Sequence, residues 1–243
     1  IFKLEEHTDR LFNSAKILDM KIPYSYDEII EATKKLVSDQ NIQNGYVRPF
    51  VWRGSEMMGV SAQNTKINVA IAIWDWPTYF DPDLKLKGIK LNISKWQRPP
   101  QNSSPWESKA AGLYMICTLS KHQAEKEGYT DSLMLDHEGN IAEATSANIF
   151  FKDENNELHT PIPDSFLDGI TRKTVIDLAK SKNIKIHERK ISPKELPIFK
   201  GCFITGTAAE VTPVRNILDN SFEVCDLIKD LSSSYEKLVG KND

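Results

Sequence analysis

The chain has 243 residues, of which 40% are hydrophobic and 27% are charged. This length predicts one large domain or two modest ones, with enough apolar residues for a sizeable core. The apolar content and the nearly balanced charges exclude disorder as the main state. The 31 basic and 34 acidic residues give a net charge of −3, which argues against a nucleic-acid-binding surface. No apolar run approaches the ~18 residues of a membrane span. The three cysteines lack metal or redox spacing and predict free thiols in a reducing cytoplasm.

The first third of the chain predicts two helices followed by strands. Apolar residues on one stripe predict a helix over 4–19, and Ser25-Tyr26-Asp27-Glu28 predicts a capping box that begins a second helix. Aromatic and β-branched alternation predicts strands at 46–52, 67–73 and 89–93. The turn-rich segment 77–83 is the best domain boundary.

The rest of the chain alternates helices with short strands. A long helix is predicted over 108–127, with Gly128 as its stop. Further strands are predicted at 132–136, 147–152, 157–160, 184–188 and 201–205, and further helices at 171–182 and 223–238. The prediction is an α/β fold with a small domain at 1–80, a linker at 81–87 and a large domain at 88–243.

No single motif identifies the chemistry. There is no phosphate-loop signature and no HExxH or GxSxG pattern, and the five histidines are scattered without metal-ligand spacing. Lys109 is predicted at the start of the long helix, where the macrodipole disfavours a cation and suits an amine nucleophile, although such a lysine is usually a solvated surface residue. The segments 168–172 and 205–210 could each expose backbone N–H groups to an anion, and the ordinary alternatives are a helix cap and a plain turn.

Taken together, several segments resemble the class IV pyridoxal-phosphate aminotransferases, and the branched-chain amino-acid aminotransferases in particular. The stretch Glu143-Ala144-Thr145-Ser146-Ala147-Asn148-Ile149-Phe150, followed by Leu158-His159-Thr160 and Leu167-Asp168-Gly169-Ile170-Thr171-Arg172, is similar to the family signature. Further matches are Asp9-Arg10-Leu11, Ser14-Ala15-Lys16, Tyr46-Val47-Arg48-Pro49, Lys109 to Tyr114 and Gly206 to Glu210. The resemblance implies a two-domain fold of type IV, with a small α/β domain and a larger α/β pseudo-barrel domain.

The resemblance also implies the residues that hold pyridoxal 5′-phosphate. Lys109 would form the Schiff base and then shuttle the proton, for which its amine must be substantially neutral. Glu143 would face the pyridine nitrogen, although from its pattern alone it would be an exposed strand residue. Tyr114 would hydrogen-bond the cofactor O3′. The phosphate would be held by Arg10, by Thr171 with the N–H of Ile170, and by Thr207.

Substrate recognition is implied by the same resemblance. Tyr46 and the N–H groups around Thr207 and Ala208 would bind the α-carboxylate. Trp76 and Tyr79 would form an apolar pocket for a branched side chain, and the alternative is that they pack at a domain interface. Arg48 would accept the second carboxylate of glutamate.

The implied reaction is transamination of leucine, isoleucine or valine with 2-oxoglutarate by a homodimer that binds neither nucleic acid nor membrane. Two departures stand out: the family has a further N-terminal segment before the position of Ile1, and Ala144 and Thr145 stand where glycines are common. A D-amino-acid transaminase or an aminodeoxychorismate lyase of the same fold is the nearest alternative. A non-catalytic scaffold on this fold is the alternative from another class.

Overall fold

The computed structural model describes residues 1–76, 80 and 82–240 of the chain. The helices are α1 (Leu4–Ile17), α2 (Tyr26–Gln40), α3 (Pro82–Lys87), α4 (Met115–Lys126), α5 (Ile170–Ser181) and α6 (Asp226–Leu238). The strands are β1 (Gly45–Arg53), β2 (Ile67–Asp75), β3 (Ile89–Ile93), β4 (Asp131–Leu135), β5 (Ile141–Ala144), β6 (Asn148–Lys152), β7 (Leu158–Thr160), β8 (Ile186–Glu188), β9 (Gly201–Gly206), β10 (Glu210–Ile217) and β11 (Asn220–Ser221). Over these described ranges, no helix combines the length and the apolar composition that crossing a membrane requires.

The chain divides into two compact units. The first comprises Ile1–Pro77 together with Glu107–Ala110, and the second comprises Thr78–Trp106 and Ala111–Asp243. Residues 107–110, which the sequence assigns to the large domain, therefore belong to the first unit. The physical reason is a hydrogen bond to α1, which the backbone N–H of Lys109 donates to Ser14 Oγ at 3.0 Å.

In the first unit, helices α1 and α2 pack on the β-hairpin formed by β1 and β2. Ser25 Oγ accepts from the Glu28 N–H at 3.2 Å and the Glu28 carboxylate accepts from the Ser25 N–H at 2.6 Å, so the predicted capping box at the start of α2 is confirmed. β1 and β2 pair antiparallel with Tyr46 opposite Trp74. Because side chains alternate along a strand, one face of this hairpin packs on the helices and the other carries Tyr46 and Trp74.

The second unit is built on a mixed sheet. Within the described residues its strands run in the order β5-β4-β3-β10-β9-β6-β7-β8, with β11 paired to β10. All five residues of β6 are buried, and Phe151 stacks on Phe199 with ring centroids 4.8 Å apart. Each fully buried phenylalanine contributes about 1.5–3 kcal/mol of apolar burial. Strand β6, which contains the last residues of the segment 143–150, therefore lies in a tightly packed core.

One prediction about secondary structure is wrong. The predicted helix over 108–127 is a 3₁₀ turn at Ala111–Tyr114 followed by α4, and the turn contains Gly112, a poor helix former. The sequence also missed α3, β5, β10 and β11. Pro213 disfavours a strand in β10, yet it pairs with Phe203 of β9, and the register shift against β3 falls directly after Val214.

Candidate functional site

Lys109 lies in the first unit, in the segment without regular secondary structure before the 3₁₀ turn, and its side chain is exposed. Its backbone is anchored by Ser14, a buried residue of α1. The prediction that Lys109 lies at the start of a helix, where the macrodipole would act on its amine, is therefore wrong. What the structure does provide is a fixed backbone from which a long amine side chain extends.

Arg10 lies on α1, four residues before Ser14. Its Nη2 donates to His7 Nδ1 at 3.1 Å. Burial, the Arg10 charge and the Lys109 charge, in that order, lower the pKa of His7 to about 4. Both cations therefore act on the same imidazole, and the Glu6 charge opposes them. The guanidinium of Arg10 suits a phosphate dianion.

The exposed face of the β1–β2 hairpin is aromatic and carries one arginine. The Tyr46 ring centroid lies 5.2 Å from those of Trp74 and Trp76. The Arg48 guanidinium carbon lies 5.5 Å from the centroids of both Tyr46 and Trp74, within cation–π range. Trp76 joins this cluster, whereas Tyr79 lies outside the residues that the structure describes.

Glu143 lies in β5 of the second unit, opposite Met134 of β4, and is only 8% exposed. The prediction of an exposed strand residue, made from its pattern alone, is wrong, because β5 is buried along its whole length. Its carboxylate forms an ion pair with Arg98, with Oε1 3.4 Å from Nε. A buried carboxylate requires such a partner to stay charged.

Arg98 is the residue that sequence reasoning missed. It begins a proline-rich loop after β3 and is 4% exposed, so a position that looks like surface is interior. No pattern distinguishes such an arginine from a solvated one.

Tyr114 ends the 3₁₀ turn that leads into α4 and is half-buried. The carbonyl of the preceding residue, Leu113, accepts from Arg98 Nη1 at 3.3 Å. The backbone that presents Tyr114 is thereby connected to the same arginine that pairs with Glu143. These two predicted cofactor contacts belong to one network of the second unit.

The N-terminus of α5 begins at Ile170, and no side chain within the described residues caps it. Asn148 shapes the preceding loop: its Oδ1 accepts from the Gly169 N–H at 3.1 Å and its Nδ2 donates to the Leu167 carbonyl at 3.0 Å. A Cβ on Gly169 would lie 2.3 Å from Asn148 Oδ1, so a larger residue would displace the Asn148 side chain and break its hydrogen bond to the Gly169 N–H. The first N–H groups of the helix, Ile170 and Thr171 included, can therefore face an anion.

Thr171 is buried, and its side chain is hydrogen-bonded to that of Tyr235 on α6. Thr207 and Ala208 lie in the turn between β9 and β10, where Thr207 is exposed and Ala208 is half-buried. Glu210, directly after this turn, adopts a positive φ of 54° and accepts from Lys85 of α3 at 2.7 Å. The turn is thus held by a partly buried ion pair.

The predicted residues therefore fall into two sets. The first unit carries Arg10, Tyr46, Arg48, Trp76 and Lys109, and the second carries Tyr114, Glu143, Ile170, Thr171, Thr207 and Ala208. The donor set fits a phosphorylated heteroaromatic cofactor: an uncapped helix N-terminus and hydroxyls suit the phosphate, and a buried, paired carboxylate suits a ring nitrogen that must keep its proton.

The chain belongs to the class IV aminotransferases, because the family profile described as "Amino-transferase class IV" matches residues 1–217. These are pyridoxal-phosphate enzymes, so the predicted enzyme class and cofactor are confirmed. The predicted fold class, a two-domain aminotransferase fold of type IV, is confirmed as well.

The names of individual relatives specify an activity narrower than that of the whole class. A Rickettsia felis protein named "Probable branched-chain-amino-acid aminotransferase" is 40% identical over 98% of this chain and 82% of its own length. The branched-chain-amino-acid aminotransferase of Pseudomonas aeruginosa is 42% identical over 89% of this chain and 70% of its own. The T.th. branched-chain amino acid aminotransferase, solved with N-(5′-phosphopyridoxyl)-L-glutamate, is 33% identical with a TM-score of 0.91, covering 99% of this chain and 80% of that one.

Proposed function

We propose that the chain transfers the amino group of L-leucine, L-isoleucine or L-valine to 2-oxoglutarate, giving the 2-oxo acid and L-glutamate. The observation that carries this proposal is the aromatic face of the β1–β2 hairpin, in which Arg48 lies 5.5 Å from both the Tyr46 and Trp74 rings. One surface there offers apolar area to a branched side chain and a guanidinium to a carboxylate. The names of the relatives support the same substrates.

Each predicted site residue has a distinct task in this proposal. Pyridoxal phosphate, when bound, supplies the electron sink that stabilises negative charge at the substrate Cα. Lys109 would hold the cofactor through its amine and, once the substrate amine has released it, would accept the proton from that Cα. Glu143 would hold a proton at the pyridine nitrogen, and Tyr114 would donate to the O3′ oxygen. These roles follow from the family resemblance and from the burial of Glu143 beside Arg98.

Anion binding is assigned to two sets of groups. Arg10, the first turn of α5 with Ile170 and Thr171, and the Thr207 hydroxyl hold the cofactor phosphate. Tyr46 and the N–H groups of Thr207 and Ala208 hold the substrate carboxylate. Trp76 and Tyr79 contact a branched side chain. Arg48 contacts the second carboxylate of glutamate, which an apolar pocket alone would reject.

A panel of amino donors tests the proposal. The purified chain is loaded with pyridoxal phosphate and offered L-leucine, L-isoleucine, L-valine and D-alanine with 2-oxoglutarate, and aminodeoxychorismate separately. We expect L-glutamate to form fastest with the three branched L-amino acids. D-Alanine as the best donor would assign a D-amino-acid transaminase, and turnover of aminodeoxychorismate alone would assign a lyase. A protein that acquires no cofactor absorbance would be a scaffold.

The role of Arg48 has its own variant. Arg48→Met keeps an apolar stem and removes the charge, so the KM for 2-oxoglutarate should rise about tenfold or more, while that for leucine changes far less, because a charge-assisted hydrogen bond contributes ~1.5–3 kcal/mol. Lys95→Met is the matched control, since Lys95 lies 5.6 Å from the exposed Trp96 ring in the second unit. Equal losses for both substrates in Arg48→Met would refute the assignment.

We propose further that the chain acts as a homodimer in the cytoplasm. Phe50 and Trp52 stack on β1 at 5.2 Å and are 42% and 43% exposed, an apolar surface typical of a subunit interface. All three cysteines are unpaired, which is typical of a reducing compartment. Sedimentation equilibrium should give twice the chain mass, and cell fractionation should place the protein with soluble cytoplasmic markers. A monomer, or an exported protein, would contradict the respective part.

A further inference from the structure

Arg98 connects two elements of the second unit that carry predicted cofactor contacts. Its Nε lies 3.4 Å from Glu143 Oε1 in β5. Its Nη1 donates to the Leu113 carbonyl at 3.3 Å, in the 3₁₀ turn that ends at Tyr114. The same Nη1 contacts Cys117 Sγ at 3.4 Å, and Nε donates to the Ser165 carbonyl at 3.3 Å. The guanidinium is thus fixed from several directions.

Burial makes this arrangement energetically demanding. Arg98 is 4% exposed and Glu143 is 8% exposed, so neither charge is compensated by bulk water. Removing one partner of a buried ion pair leaves the other as an uncompensated charge, which is strongly destabilising. The neighbouring Cys117 thiol contributes no charge, because burial and then the Glu143 charge raise its pKa to about 11. Arg98 therefore supplies positive charge that keeps Glu143 ionised.

We infer that Arg98 is a positioning residue for the cofactor: it holds Glu143 as an oriented carboxylate and ties that carboxylate to the turn that carries Tyr114. This inference rests on the proposed roles of Glu143 and Tyr114. The two residues would contact two different positions of one pyridine ring, the ring nitrogen and O3′. A single planar guanidinium that contacts both supporting elements sets the distance between them, and a lysine, with one point charge, could satisfy only part of this geometry.

The consequence for proton affinity has a definite sign. An adjacent guanidinium stabilises the ionised carboxylate, so Glu143 is a weaker base with Arg98 than without it. A weaker base leaves the proton on the ring nitrogen and keeps that ring charged. Loss of Arg98 makes Glu143 a stronger base and draws the proton towards the carboxylate. The bound cofactor would then titrate differently, which a purely structural arginine would not cause.

The experiment combines Arg98→Met, Arg98→Lys and Glu143→Gln, singly and as double variants. Each protein is stripped of cofactor, and pyridoxal phosphate affinity is measured by fluorescence titration. The pH midpoint of the visible absorbance of the reloaded protein is also recorded. We expect Arg98→Met to lose about tenfold or more in affinity, equivalent to ~1.4 kcal/mol, and to shift the absorbance midpoint upward. Arg98→Lys should restore part of both.

The double variants separate positioning from general destabilisation. If Arg98 acts through Glu143, the Arg98→Met affinity loss should largely disappear in the Glu143→Gln background, because the two residues share one interaction. Arg189→Met is the control, since Arg189 pairs with Glu195 elsewhere in the second unit. Additive losses, or an unmoved absorbance midpoint, would overturn the inference. Should Arg98→Met not fold, the same cycle is run with Arg98→Lys.

These outcomes are distinct from failure of the proposed function. The readouts need cofactor but no substrate, so a chain that prefers another amino donor still tests Arg98. A wild-type protein that binds no pyridoxal phosphate would overturn both. A wild-type protein that binds pyridoxal phosphate, while the Arg98 and Glu143 losses add independently, would overturn this inference alone.

Discussion

The hydroxyl of Ser14 accepts a hydrogen bond from the backbone N–H of Lys109 at 3.0 Å, across a sequence separation of 95 residues. Ser14 is 7% exposed, so water does not readily replace it as the acceptor. The bond places residues 107–110 in the first unit although the chain on both sides belongs to the second. The backbone of the predicted Schiff-base lysine is thus positioned by α1.

Ser14→Ala should therefore lower activity as well as stability. The Lys109 N–H loses its acceptor, so we expect about 1 kcal/mol less stability and a severalfold lower kcat, because the amine is no longer precisely placed. Urea unfolding and steady-state transamination measure the two effects. Thr33→Val is the control: Thr33 is equally buried in the first unit and donates within α2 to the Ile29 carbonyl. If both variants lose stability only, Ser14 has no role in positioning the lysine.

A second hydrogen bond connects α6 to the predicted phosphate site. The hydrogen bond between the Tyr235 and Thr171 side chains restricts the rotamer of Thr171, a predicted phosphate contact at the start of α5. Tyr235→Phe should weaken pyridoxal phosphate binding about fivefold, the equivalent of ~1 kcal/mol, by freeing the Thr171 rotamer. Equilibrium dialysis measures this affinity. Tyr129→Phe, a half-buried tyrosine of the same unit, should leave it unchanged; equal affinities for wild type and Tyr235→Phe would contradict the prediction.

Features that depend on neighbouring residues could be predicted from the sequence. The capping box of Ser25 and Glu28 spans four residues, and the alternation over 67–73 predicts the strand that the structure has at 67–75. In both cases the residues that determine the local structure are the same residues that form the pattern. The signature segments were recognised for the same reason, since each is a short run with fixed spacing.

Features decided by distant residues could not be predicted. The Lys109 backbone is held by Ser14, 95 residues away, and the buried Glu143 carboxylate pairs with Arg98, which comes from the loop after β3. Arg98 is interior because Glu143, Leu113 and Ser165 surround it, and none is its sequence neighbour. A pattern in a single sequence contains no information about contacts between distant residues. Arg98 could not be predicted because its proposed role depends on such contacts.

The three cysteines should differ sharply in reactivity. The thiolate is the nucleophile, and burial followed by the Glu143 charge raises the pKa of Cys117 from 9.0 to about 11, which leaves about 100-fold less thiolate near neutral pH. Burial also raises the pKa of Cys202, whereas Cys225 is half-buried. Iodoacetamide followed by mass spectrometry should therefore modify Cys225 first.

Unfolding provides the control for that experiment. In denaturant all three thiols should react at similar rates, because the burial that protects two of them is lost. Early modification of Cys117 in the folded protein would show that the Arg98 and Glu143 network opens on the timescale of labelling. It would contradict the closed packing from which the reactivity order is derived.

His7 should make the folded protein sensitive to acid. Burial, Arg10 and Lys109 lower its pKa to about 4, against an ordinary 6.5. Between these two pH values the unfolded chain binds a proton that the folded chain does not, so stability falls as the pH drops from 6.5 towards 4. The loss from pH 7 to pH 5 should be about 2 kcal/mol.

Urea unfolding of wild type and His7→Asn at both pH values isolates this contribution, because other titrating groups cancel in the difference. His122→Asn, at an exposed position on α4, should retain the full wild-type pH dependence. If His7→Asn retains it as well, the pKa of His7 is not lowered in the folded protein.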